Sequence, residues 1–153
     1  MACAQTVLSY LSSIHRSDIE LDHHRALLLL YLVDWRSAIT RHEPVTNVTW
    51  KVEDFGPQPD SSYVLSGVMS PADWNAVSNR SRVEADRTTC DLAIDEREVI
   101  DFVAKAAGSK SDEELQRLVY STFPVMTQPK HAPLNLVALA ERYNREFPYS
   151  LGR

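Results

Sequence analysis

The five histidines are the residues whose chemistry is most readily tested from sequence, because imidazole serves both as a metal ligand and as a general base. They are His15, His23, His24, His42 and His131, and they follow no known ligand spacing. His23 and His24 are adjacent, so they point to different faces of a helix. A cluster of His23, His24, Asp34 and the distant His131 would have to be assembled by the fold. A small metal-dependent hydrolase built on them remains an alternative reading.

Motifs that mark other catalytic sites are absent from the sequence. Asp54-Phe55-Gly56 spells the kinase magnesium tripeptide, but no glycine-rich phosphate loop precedes it. The chain has only four glycines and contains neither a G-x-S-x-G elbow nor a P-loop. Cys3 and Cys90 form no C-x-x-C pair, which fits a reducing cytoplasm. We therefore expect no enzymatic activity, no metal and no cofactor.

The distribution of charge indicates the kind of partner. A formal net charge of -5 argues against direct binding of nucleic acid. The acidic run, Glu84 to Asp101, holds seven acids against two arginines. Such a run is commonly a solvated face with a helix start, but it also suits docking of a basic protein. The candidate partner-binding residues are Glu84, Asp86, Asp91, Glu96, Glu98 and the aromatic Trp74.

The first half of the chain shows clear periodicity. Helical spacing of apolar residues predicts an N-terminal helix over residues 5–15. From Asp22 to Arg41 the apolar residues surround the helix on every side, which is typical of a central helix, and Pro44 ends it. Alternation from Val48 to Glu53 then predicts a half-buried strand. The longest apolar run, Ala26 to Val33, is far shorter than the roughly 20 residues that span a bilayer.

In the middle of the chain, the predictions rest on prolines and on residues that cap helices. The step from Phe55 to Pro59 is expected to break regular structure, because two prolines restrict the residues before them. Asp60 and Ser70 are predicted to begin short helices. A second short strand or hairpin is predicted between Asn79 and Leu92.

The C-terminal third is predicted to be helical. One apolar stripe, which includes Ile94 and Phe102, is expected to end at Gly108. Ser111 and Glu114 form a capping box that opens the next helix. The segment from Pro124 to Pro133 contains three prolines and is expected to form a loop before a last helix at 134–146. Together these elements predict a mostly helical α+β fold, a single compact domain over 1–153 with about six or seven helices around a small antiparallel sheet or hairpin.

One set of residues resembles a known family. The segments are Leu28 to Trp35, Pro44-Val45-Thr46, Trp50 to Pro57 and Tyr63, followed by Ile94 to Val103 and Ser111 to Tyr120. Their order resembles the Panacea domain of SocA-like antitoxins, over about 21–126. We expect the motif residues to be core: Tyr31, Asp34, Trp35, Trp50, Phe55, Gly56, Pro57 and Tyr63.

The resemblance implies a bacterial or phage antitoxin, encoded beside a toxin gene, that holds the toxin inactive by direct contact. Some members of the family instead act as adaptors that present the toxin to a protease, and this alternative remains open. A toxin that acts on RNA or nucleotides would be basic, so the acidic run would steer it. A repressor of its own operon is a third reading, but no basic recognition helix is visible.

Overall fold

The computed structural model describes residues 4–15, 18–54, 56–59 and 92–147. This part of the chain forms six helices and a three-stranded antiparallel sheet, which confirms the mostly helical α+β fold. In chain order the elements are α1 (Ala4–Ile14), α2 (His23–Arg41), β1 (Trp50–Glu53), β2 (Gly56–Pro59), α3 (Ile94–Ala107), α4 (Asp112–Tyr120), α5 (Phe123–Thr127), β3 (Pro133–Leu134) and α6 (Leu136–Glu146).

Helix α2 is the centre of the fold, as its apolar sequence predicts. The Asp22 side chain caps it by accepting a hydrogen bond from the Arg25 N–H at 2.8 Å, and the helix ends at His42 in a left-handed conformation. Fourteen of its 19 residues are buried. Helices α1, α3, α4 and α6 all pack against it. Among the described residues, no helix combines the length and the apolarity needed to cross a bilayer.

The sheet has the order β2-β1-β3, so β1 is central and β2 is an edge strand. Burial alternates along β1 as predicted. The prediction that the chain breaks regular structure up to Pro59 was wrong for Gly56–Pro59, which pairs antiparallel with β1. An edge strand tolerates proline because one side of it needs no donors, and Pro57 and Pro59 lie two residues apart, on the same side. Gly56 begins the strand with φ 105°.

Helix α3 buries one narrow face, which includes Val99, Ile100 and Val103. It ends at Gly108 as predicted, although that glycine is right-handed. The expectation of a single buried stripe was wrong at two positions, since Ile94 is 69% exposed and Phe102 is 41% exposed. At 100° per residue, Ile94 lies about 140° around the helix from Val99, and Phe102 lies at the edge of the buried face.

Among the described residues, Arg25 is the most buried charged side chain apart from Asp34, with 1% of its surface exposed. Its Nη2 donates to the backbone carbonyl oxygens of Gly108, at 3.0 Å, and Lys110, while Nη1 donates to Asp112 at 3.0 Å. Carbonyl groups at a helix C-terminus lack partners within the helix, and a cation there is favourable. Arg25 therefore fixes the end of α3 and the start of α4 on the central helix.

The capping box at the start of α4 is confirmed. The Ser111 hydroxyl accepts the Glu114 N–H at 3.2 Å, and the Glu114 carboxylate accepts the Ser111 N–H at 3.1 Å. The loop predicted between Pro124 and Pro133 was wrong at both ends. Pro124 lies in the first turn of α5, where its missing N–H costs nothing. Pro133 and Leu134 pair with β1, so α6 begins two residues later than predicted.

Three predictions lie outside the described residues: the short helices at Asp60 and Ser70, and most of the strand or hairpin between Asn79 and Leu92. The extent of the single domain, 1–153, stays a prediction.

Candidate functional site

Asp34 organises the polar interior beside the sheet. One carboxylate oxygen accepts the N–H groups of Val45 and Thr46 at 3.1 and 2.9 Å. The other accepts the Thr46 hydroxyl at 2.6 Å and the Trp50 indole N–H at 2.9 Å. Burial raises the pKa of Asp34 to about 6, and the four donors limit the rise. Asp34 therefore ties α2 to the segment that leads into β1.

The histidine cluster of the hydrolase reading is not assembled in the described part of the chain. There, no three His, Cys, Asp or Glu side chains lie close enough to hold a metal ion. Asp34 has both oxygens committed to four protein donors. His131 instead lies beside the sheet, where its Nδ1 is 2.7 Å from the Glu53 carboxylate. The proposed ligands His23, His24, Asp34 and His131 thus do not form a metal site here.

The described residues of the family motif all lie in the interior. Tyr31, Asp34, Trp35, Trp50, Gly56 and Pro57 are buried, whereas Phe55 and Tyr63 lie outside the described residues. The Tyr31 ring meets the Trp50 ring edge-on, with centroids 5.7 Å apart, and its hydroxyl is 2.8 Å from Thr122 Oγ1. These contacts join α2 to β1 and to the junction between α4 and α5, so they set the positions of the surrounding helices.

Only two of the proposed partner-binding acids fall within the described residues. Glu96 is 8% exposed and accepts the Ala93 N–H at 2.9 Å, which is the capping-box contact that starts α3. Glu98 is exposed. The neighbouring Asp95 pairs with Arg41 of the central helix at 3.0 Å. Glu84, Asp86, Asp91 and Trp74 lie outside the described residues.

A groove of about 420 Å³ opens between α2, α3 and α6, with the α4–α5 junction at its side. We call it the aromatic groove, and we define it by five of its lining residues: Trp35, Arg36, Phe102, Phe123 and Tyr143. Sequence reasoning named Trp35 and Phe102 but did not bring them together. They come from separate helices, so no local spacing marks the groove.

The aromatic rings of the groove pack edge to face. Tyr143 lies 5.7 Å from both Trp35 and Phe123, measured between ring centroids. Phe147 extends this cluster, 5.2 Å from Tyr143, and is 49% exposed. Such pairs fix the ring positions beyond what area burial alone provides. The groove therefore presents an ordered apolar wall, with Phe102 and Phe147 partly open to solvent.

Arg36 gives the groove its charge. Its guanidinium carbon lies 4.0 Å from the centre of the Phe102 ring, a cation–π arrangement. Its Nη1 atom is buried and has no hydrogen-bond partner. Burial lowers the pKa of Arg36, but an arginine stays protonated in proteins. Arg36 as a whole is only partly buried and lines the groove, so part of its charged side chain remains accessible to an acceptor.

Residues 28–123 match the family described as antitoxin SocA-like, Panacea domain. This match covers more than half of the 153 residues.

The chain belongs to this family.

The Panacea domain includes Asp34 with its four donors, and it includes every defining residue of the aromatic groove except Tyr143, which follows it in α6. Comparison with curated proteins and with solved structures gave no match. The family assignment therefore rests on the Panacea domain alone, and it confirms the resemblance seen in the sequence.

Proposed function

We propose that this chain is an antitoxin that neutralises a cognate toxin by binding it directly, without catalysis. The observation that carries the proposal is the Panacea-domain match over residues 28–123, a family described as antitoxins. The aromatic groove supports it, because Trp, Tyr and Arg are the residues that most often dominate the energy of protein–protein binding. Arg36 and Tyr143 are partly exposed and line that groove above the buried Trp35.

The groove is the surface that we propose for the toxin contact. Phe102 and Phe147 are among the described large apolar residues that remain substantially exposed, and they extend the apolar area that a partner would cover. Arg36 adds a partly exposed positive charge to the wall of the groove. Exposed acids such as Glu98 would act differently, by steering a basic toxin towards the surface.

The test is to express this chain together with the product of the adjacent gene, and to measure growth rescue and co-purification. Phe102→Ser should weaken both, because it removes an apolar wall of the groove. Ile94→Ser is the matched control, since Ile94 is an exposed apolar residue on the same helix that does not line the groove. It should rescue growth like the wild-type chain. Thermal unfolding of both variants would establish that they are folded.

Rescue without a stable complex would contradict neutralisation by direct binding. Equal loss of rescue in both variants would argue against the groove as the contact surface. The toxin's half-life, measured with and without this chain, separates a blocker from the proteolytic adaptor. A blocker leaves the half-life unchanged or lengthens it, whereas an adaptor shortens it.

A further inference from the structure

The charge of the aromatic groove is uncompensated in the part of the chain that the structure describes. Arg36 lines the groove with a buried Nη1 that has no partner, and none of the residues that line the groove is acidic. The other cation beside it, Arg142, lies 5.2 Å from the Phe123 ring but is already paired with Glu146 at 3.1 Å. Arg36 is therefore the group in the groove that still needs an anionic or polar acceptor.

We propose that the aromatic groove binds a segment of the toxin in which an Asp or Glu side chain lies between two apolar side chains, with its carboxylate on Arg36. This inference rests on the proposed antitoxin function and adds the chemistry of the segment that is recognised. It also differs from the steering of a basic toxin by the acidic run, because the contact that it assigns is with an acid.

The nature of the groove favours a carboxylate over a neutral acceptor. Hydrogen bonds between a guanidinium and a carboxylate are shorter and about twice as strong as neutral ones. Arg36 is partly buried, so water screens the pair less than it would at a fully exposed site. A neutral amide would accept a hydrogen bond from the accessible part of the guanidinium group but would leave the positive charge of Arg36 uncompensated.

The apolar surface on both sides of Arg36 favours an acid within a segment over a free C-terminal carboxylate. Phe102 contacts Arg36 on the α3 side of the groove. Trp35 contacts Tyr143 on the α6 side. An internal Asp or Glu has neighbours in both directions that can cover these two walls, whereas a terminal carboxylate has a neighbour on one side only.

The test uses two libraries of random peptides, screened with the full-length chain. In one library both peptide ends are fused to a carrier, and in the other the C-terminus is free. We expect the doubly fused library to yield peptides with Asp or Glu between apolar residues. Arg36→Met, which keeps the apolar packing on Phe102, should lose the acid preference and bind an enriched peptide about 10-fold to 100-fold more weakly. The affinity of Arg36→Lys for the peptide should lie between those of the wild-type chain and Arg36→Met, because lysine keeps the charge but lacks the planar guanidinium group.

Arg145→Met is the matched control, since Arg145 is exposed on α6 and does not line the groove. It should bind like the wild-type chain, and all variants should unfold at similar temperatures. Three results would overturn the inference: no enrichment, an acid preference that survives Arg36→Met, or enrichment only among free C-termini. If growth rescue holds in any of these cases, the proposed function stands without this inference. Enrichment without rescue would uphold the groove chemistry and contradict the antitoxin role.

Discussion

Replacing Arg25 by Met tests how the central helix holds the junction between α3 and α4. The substitution keeps most of the side-chain volume but removes the donors to the Gly108 and Lys110 carbonyl groups and to Asp112. The two carbonyl bonds and the ion pair contribute unequally. Asp112 is 80% exposed, whereas the Arg25 side chain is 1% exposed. The structure therefore predicts that the carbonyl bonds carry most of the stabilisation.

The magnitudes follow from that difference. Each hydrogen bond from a charged donor contributes about 1.5–3 kcal/mol. Arg25→Met also removes a charge whose burial is unfavourable, and this offsets part of the stability that is lost with the hydrogen bonds. We expect Arg25→Met to lower the free energy of unfolding by about 2–4 kcal/mol. Asp112→Asn removes the charge of the exposed partner alone. It should cost less than about 1 kcal/mol, which is the range of surface ion pairs and of acids in a first helical turn.

Urea unfolding at neutral pH, followed by circular dichroism, measures both costs through the midpoint and slope of the transition. Added salt should reduce the effect of Asp112→Asn, because exposed charges are screened, and should leave that of Arg25→Met nearly unchanged. Similar costs for the two variants would refute the reasoning, as they would place the stabilisation in the ion pair. An Arg25→Met chain within about 0.5 kcal/mol of wild type would refute it as well.

Three further predictions concern single polar groups. The Asp34 carboxyl should titrate with a midpoint near pH 6, measured by carbon NMR. This pKa lies above the ordinary value of 3.8. The contribution of the protonated Asp34 carboxyl to stability is therefore present below pH 3.8 and is lost as the pH rises through about 6. A midpoint below 4 would show that its donors outweigh burial. Ser111→Ala should lower the free energy of unfolding by about 1 kcal/mol in urea, and an unchanged midpoint would argue against the capping box. Burial raises the pKa of Tyr10 to about 12, and the Asp101 carboxylate, 2.6 Å from the Tyr10 hydroxyl, adds to the rise. Tyr10→Phe should therefore remove one late component from the alkaline titration followed at 295 nm. An unaltered titration curve would contradict this.

The elements that the sequence predicts well are those with local signals. The apolar residues on every side of α2 can all be buried only if the helix lies at the centre of the fold, whichever elements pack around it. The Ser111 and Glu114 pair specifies a helix start through bonds made within four residues. Strand β1 follows from the alternation of Trp50 and Val52 with polar neighbours. Each of these features is decided within one segment of the chain.

The features that sequence reasoning missed depend on distant segments. Pro57 and Pro59 look like breakers until β1 supplies a partner on one side only, which makes an edge strand possible. Arg25 appears as an ordinary polar residue at a helix start, because its carbonyl partners are more than 80 residues away. The aromatic groove likewise requires five helices to converge. The family resemblance marked Asp34 and Trp50, but their hydrogen bond became visible only in the structure.

The most direct test of the central claim is to mix the purified chain with the purified product of the adjacent gene, and to measure the mass of the complex by size-exclusion chromatography with light scattering. The same samples are assayed for toxin activity. The account predicts a complex of fixed stoichiometry whose formation abolishes that activity, and predicts that Phe102→Ser weakens it while Ile94→Ser does not. Two separate peaks with undiminished toxin activity would contradict the account.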